Sequence, residues 1–204
     1  MSDKVELSLT LHKTLKMASA ERAAERKTKV NAILKDINTG QEKKIISGLK
    51  ALKVNGDDGV IVPIIDVWNK GVSPAAEKEI ITFLGDIKST SSTQPIMDVL
   101  LDDTYANIHL PLLTTIWNTK VDYSEYIVDF VSLAVQYDFL VALECLTIIE
   151  NMEGPFEEHH ILDAEIILRE FAESHNEKKN QEEKKVAMVL EISNLIASFD
   201  DRTI

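Results

Sequence analysis

The chain has 204 residues, 45% of them hydrophobic, with 22 Lys/Arg against 34 Asp/Glu and a formal net charge of −12. Only 7 Gly and 5 Pro leave too few turn residues for a β-sandwich or barrel, and the single cysteine, Cys145, excludes an intrachain disulfide and fits a reducing, cytoplasmic setting. No stretch approaches ~18 uninterrupted apolar residues, so no membrane span is expected, and the N-terminal residues lack the apolar core and small-residue cleavage site of a secretory signal.

The first dozen residues are ambiguous. Val5, Leu7, Leu9 and Leu11 alternate like a strand, whereas Leu11, Leu15 and Ala18 continue at helical spacing. A frayed start leading into a helix from about Leu11 is expected, ending beyond the stripe Val30, Ile33, Leu34, Ile37 at Gly40. Lys43–Lys53 is the next amphipathic helix, and Asn55–Gly59 ends it. Ile61–Lys70 follows and Gly71 closes it. Ser73-Pro74 then supplies an N-cap and a first-turn proline for a helix carrying Ile80, Ile81, Leu84 and Ile87. Apolar periodicity predicts further helices over 94–101, 108–117, 124–135, 139–152 and 156–174, with Asp138 as a cap for the one at 139. A charged loop at 175–185 and a closing helix from Val186 complete the chain.

These short helices recur in pairs. Lys43–Lys53 lies over Lys78–Lys88 at an offset of 35, and Pro63-Ile64-Ile65-Asp66-Val67 lies over Pro95-Ile96-Met97-Asp98-Val99 at an offset of 32. Val128-Asp129-Phe130 and Leu162-Asp163-Ala164 continue the series, and Ile81, Leu84 and Ile87 map onto Leu143, Leu146 and Ile149. One helix pair cannot bury its own apolar face, so repeats of this kind stack and share a core. The segments Ile61–Trp68 and Val72–Ile87, with Pro63, Ser73-Pro74 and Leu84-Gly85, resemble a HEAT repeat, and Pro95 repeats the first feature. Glu77-Lys78 stands where that family usually has Val-Arg. The resemblance implies an all-α fold, a HEAT-like α-α superhelix of stacked antiparallel helix pairs. It would occupy 1–204 as one domain: a capping region at 1–40, repeats over 41–174, the charged loop, and a C-terminal cap at 186–204. A tetratricopeptide pattern is not visible.

Candidate chemistry is sparse. Glu157-Glu158-His159-His160-x-x-Asp163 has metal-like composition, but zinc requires three or four convergent ligands, and an acidic first turn that complements a helix dipole accounts for it. Cys145, between Leu143 and Leu146, reads as a buried inert thiol. Trp68 and Trp117 fall on apolar helix faces and read as core residues first, with a binding hot spot as the minority reading. There is no Gly-rich phosphate loop, Gly-x-Ser-x-Gly or His-Glu-x-x-His motif. No metal, no cofactor and no enzymatic activity are therefore expected.

Charge is regional. Residues 1–54 carry 12 Lys/Arg against 6 Asp/Glu, and residues 101–163 carry 12 acidic residues and one basic one, Lys120. Asp66, Asp98, Asp129 and Asp163 occupy one place in four successive first helices, either as solvated helix edges or as an acidic strip facing a basic partner. The leading expectation is a monomeric, non-catalytic protein-interaction scaffold that docks a basic protein there. The alternative is nucleic-acid or anionic-surface binding through Lys13, Lys16, Arg22, Arg26, Lys27, Lys29, Lys43 and Lys44, which the net charge opposes. A HEAT-like enzyme, such as a glycosylase or lyase, stands third.

Overall fold

Four of the helices begin with the same local device, and it explains why short helices punctuate this chain. A side-chain oxygen accepts the amide two residues on, forcing a turn that leads through one round of 3-10 helix into an α-helix. Asp57 accepts from the Gly59 N–H, Ser89 from Ser91, Asp102 from Thr104, and Asp122 from Ser124. The helices that follow are α3 (Ile61–Asn69), α5 (Thr93–Leu100), α6 (His109–Trp117) and α7 (Ile127–Gln136). In α3, α5 and α6 the third residue is a proline, whose missing N–H has no helical partner at that position anyway.

This computed structural model describes residues 2–175 and 183–199, with side chains described for 19–174 and 183–199. The described residues form ten α-helices joined by short 3-10 segments and turns: besides those above, α1 (Ser2–Ile37), α2 (Glu42–Asn55), α4 (Pro74–Gly85), α8 (Phe139–Glu150), α9 (Glu158–His175) and α10 (Glu183–Ala197). The fold is all-α, with no strand element among the described residues. The alternation at Val5–Leu11 belongs to α1, so helix begins at Ser2 and not near Leu11. The last helix starts at Glu183, three residues before the expected Val186; most of the expected charged loop falls outside the described residues.

Caps predicted from sequence are present. Ser73 Oγ accepts the Ala76 N–H at 3.3 Å, and Asp138 Oδ1 accepts from Leu140 and Val141 at 3.0 and 3.1 Å. Gly40 follows α1 at φ 72°, a left-handed conformation that costs a residue without Cβ little.

The chain separates into two compact units, Met1–Ile80 and Ile81–Ile204. In the first, α1 packs on α2 and α3. Gly48 lets α1 and α2 approach closely: a Cβ there would stand 2.5 Å from Ile37 Cγ1 and 2.8 Å from its Cδ1. Trp68 is buried and donates its indole N–H to Glu77 Oε1 at 3.0 Å, joining α3 to the start of α4. In the second unit, α6, α8 and α10 pack in one row and α7 and α9 in another, with α7–α8 and α9–α10 contacts between the rows. Phe130, Ile127, Leu112, Leu113 and Ile149 fill the space between. The long stack Phe156–Phe199, with ring centroids 4.5 Å apart and planes 8° apart, fastens the loop before α9 to the end of α10.

Burial repeats as the sequence alignment predicts. Ile45 and Ile80, Gly48 and Phe83, and Leu49 and Leu84 are buried at matched positions of α2 and α4. The pairs Ile64-Ile65 and Val67-Trp68 flank Asp66 as Ile96-Met97 and Val99-Leu100 flank Asp98. In the second helices Leu84, Leu146 and Ile149 are buried as expected, and the first position of the triplet departs from expectation. Ile81 is half-buried and Leu143 exposed, while Ile80 and Ala142, one residue earlier, are buried at the same offset of 62.

Candidate functional site

The four aspartates do not share one environment. Asp98 is exposed on α5, and Gln94 Nε2 donates to its Oδ1 at 2.7 Å, one helical turn away. Asp163 is exposed on α9. Asp66 is partly buried on α3, in the first unit. Asp129 is half-buried on α7; burial raises its carboxyl above the ordinary carboxylate value, and His160 on the facing helix α9 pulls the other way. Asp98 and Asp163 are therefore the members of the set that present a carboxylate to solvent, and Asp129 retains its charge at a cost.

The metal-like segment stays local. His159 and His160 lie ring to ring at 4.1 Å, and His159 Nδ1 is 3.2 Å from Glu157 Oε2. Among the described residues no three His, Cys, Asp or Glu side chains are grouped to hold an ion. Cys145 is fully buried in α8, and burial, assisted by Glu144, raises its thiol pKa, so the thiolate is disfavoured.

Among the basic residues at 1–54, Arg26, Lys29 and Lys44 are engaged within the chain. Arg26 donates to the carbonyls of Asn55 and Gly56 at 2.7 and 2.6 Å, Lys29 to Asn55 Oδ1 at 3.2 Å, and Lys44 pairs with Asp36 at 2.9 Å. Arg22, Lys27 and Lys43 are exposed; the side chains of Lys13 and Lys16 lie outside the described set.

Two features of the second unit have no counterpart in the sequence reading. The first is His109, at the head of α6. It is 1% exposed, neither ring nitrogen meets a hydrogen-bond partner among the described residues, and Tyr137 stands edge-on at 4.8 Å. Burial lowers its pKa, against the smaller opposing pull of the Asp102 backbone and Asp103. The Tyr137 hydroxyl donates to Asp103 Oδ1.

The second is a cavity of about 270 Å³ at the carboxyl ends of α6 and α8. Trp117, Ile148 and Met152 give it an apolar wall, and Lys120, Asp122, Asn151 and Glu153 a polar rim. Trp117 was expected in the core, yet it is 41% exposed here, unlike Trp68 at 3%. Tyr123 completes the wall: it is buried, its ring packs edge-on against Phe130 at 5.9 Å, and its hydroxyl has no hydrogen-bond partner among the described residues. The two loops that form the cavity are tied together. Ser124 Oγ donates to Asp122 Oδ1 at 2.6 Å and accepts the Gly154 N–H at 3.1 Å.

Comparison with family models, with curated proteins and with solved structures returns no match for this chain. No helix among the described residues is long and apolar enough to cross a membrane.

Proposed function

We propose that this chain is a non-catalytic protein-interaction scaffold, a HEAT-like α-α superhelix of stacked antiparallel helix pairs that docks a basic protein partner on its acidic second unit. The observation that supports this reading is the repeated frame of burial. The same place between buried pairs holds Asp66 in α3 and Asp98 in α5; in α7 that place, between Phe130-Val131 and Leu133-Ala134, holds Ser132, and the aspartates at 129 and 163 add to a stretch with 12 acidic residues and a single lysine. The excess of like charge in this stretch repels itself in the free protein, and a cationic partner relieves that repulsion. The pairing of Arg26, Lys29 and Lys44 within the chain leaves fewer free cations for a phosphate backbone, which favours the protein partner over the nucleic-acid alternative.

The test is affinity capture from native cell extract at low and at high salt, with nuclease treatment, followed by mass spectrometry. The reading predicts basic proteins that are retained after nuclease treatment and released by salt. Recovery dependent on nucleic acid, or strong retention of the purified chain on heparin, would contradict it. Light scattering of the isolated chain at the same two salt concentrations separates partner docking from head-to-tail self-association, since only the latter changes mass without a partner.

A further inference from the structure

We propose that the cavity at the carboxyl ends of α6 and α8 receives an arginine side chain of the basic partner; this rests on the scaffold reading above and gives it a specific anchor. The rim chemistry selects a cation. Asp122 and Glu153 outnumber Lys120, and Glu153 and Lys120 each stand without a partner among the described residues. Helix carboxyl ends carry partial negative charge. That of α6 already receives a lysine, since Lys88 Nζ donates to the Thr119 carbonyl at 2.9 Å, whereas α8 has no basic residue in its last turn. The unmet negative end is therefore that of α8, beside Glu153.

The remaining groups favour a planar, multi-donor cation over a compact ammonium. Asn151 spends its amide N–H on the Thr147 carbonyl at 2.7 Å, leaving its side-chain oxygen as an acceptor. Tyr123 is buried with an unpaired hydroxyl, so a donor that reaches it satisfies an orphaned polar group. Trp117 exposes its indole at the mouth, and a guanidinium stacks on such a face while its edge donors engage the rim. At about 270 Å³ the space suits one side chain, being smaller than the roughly 300–1,000 Å³ of pockets that enclose a whole drug-sized ligand or cofactor. The Asp122–Ser124–Gly154 hydrogen bonds hold both loops in place before anything binds, which lowers the entropic cost of docking.

Lys120 is the counterweight. It sits just past α6 with φ 57°, a left-handed conformation that favours glycine, and it places the region's one positive charge on the rim that the arginine approaches. Lys120→Gly removes the competing charge and the backbone cost together.

The experiment titrates the full chain with N-acetyl-arginine amide and follows the backbone amides of 120–123 and 151–153 and the Trp117 indole by NMR. The expected result is saturable shifts confined to those residues, with a dissociation constant on the order of millimolar, as befits one side chain. N-acetyl-citrulline amide, of the same shape without the charge, should bind at least about threefold more weakly, Glu153→Gln should weaken arginine binding about threefold to tenfold, and Lys120→Gly should strengthen it. A short peptide with one arginine between neutral residues should bind at least as well as the amide. Equal binding of citrulline, no saturable shift, or indifference to both Trp117→Ala and Glu153→Gln overturns the proposal. Tighter binding of free arginine than of the amide or the peptide also overturns it, since that assigns the cavity to a free amino acid. No partner is needed, so this outcome is independent of whether Asp98 and Asp163 dock one.

Discussion

His109 makes the stability of the second unit depend on pH in a direction fixed by its burial. In the folded chain its imidazole is 1% exposed, without a hydrogen-bond partner among the described residues, and its pKa lies below the ordinary value of 6.5. In the unfolded chain it takes up a proton near 6.5. On the acid side the unfolded state therefore binds more protons, so stability falls as pH drops below 6.5 and levels off only below the folded pKa. The size is bounded by the unfolded value. Between pH 8 and pH 5 the loss assignable to this residue reaches up to about 2 kcal/mol, if the folded imidazole stays neutral throughout. The net charge of −12 shrinks over the same range and adds its own trend, so the assay is a comparison. Urea unfolding of the unaltered protein and of His109→Leu is measured at pH 8 and pH 5. The variant should be nearly unchanged or more stable at pH 8, because it removes two unpaired buried nitrogens, and it should lose less on acidification. Equal losses in the two proteins would refute the reasoning. A larger loss in the variant would show that the cation is the favoured buried form, held by Asp102 and Asp103.

Leu84→Ala and Leu146→Ala should each cost about 2–5 kcal/mol, since both side chains are buried, while Leu143→Ala, exposed on the same helix as Leu146, should cost less than about 1 kcal/mol by urea unfolding. Asp129→Asn should raise the thermal midpoint at neutral pH. The folded carboxyl is raised by burial, so the native protein recovers stability as pH falls through that pKa, and the advantage of the variant should shrink towards acid; a constant or growing advantage contradicts the burial argument. Gly48→Ala gains about 1 kcal/mol of helix propensity but drives a methyl against Ile37, an overpacking cost of about 1–3 kcal/mol. Net destabilisation is expected, and the clash is verified if part of it disappears in an Ile37→Ala background; a simple gain in stability would mean that α1 and α2 separate freely.

The helices were legible because apolar periodicity, caps and breakers agree along most of the chain. Asp138 and Ser73-Pro74 start their helices as the sequence indicates, since a capping oxygen acts on amides two or three residues away and needs no tertiary context. The buried phase of α8 was not fully legible. Leu143 looks like a core residue and is exposed, while Ala142 beside it is buried, because a leucine on a half-packed helix tolerates water and a small residue marks the closer contact. The helix His109–Trp117 repeats the frame of Ile61–Asn69, with Pro111 in the place of Pro63, but it carries Thr114 in the place of Asp66 and stands 48 residues on, outside the 31–35-residue spacing of the other matched segments. The cavity escaped for a different reason. Trp117–Tyr123 and Ile148–Glu153 are separate helix-end and loop segments far apart in sequence, brought together by the packing of α6 on α8 and by the Ser124–Gly154 hydrogen bond. The four aspartates were found by position, but position alone does not distinguish exposed Asp98 and Asp163 from half-buried Asp129.

The most direct test of the scaffold reading is the association rate of the chain with a captured basic partner, measured by stopped flow from low to high salt for the unaltered protein and for Asp98→Asn/Asp163→Asn. Exposed charges that steer a partner act mainly on association, and their effect is screened by salt. The account predicts a slower rate for the variant at low salt, a shallower dependence on salt, and convergence of the two proteins at high salt. An unchanged rate with an unchanged salt slope would contradict it and leave these aspartates as ordinary solvated surface.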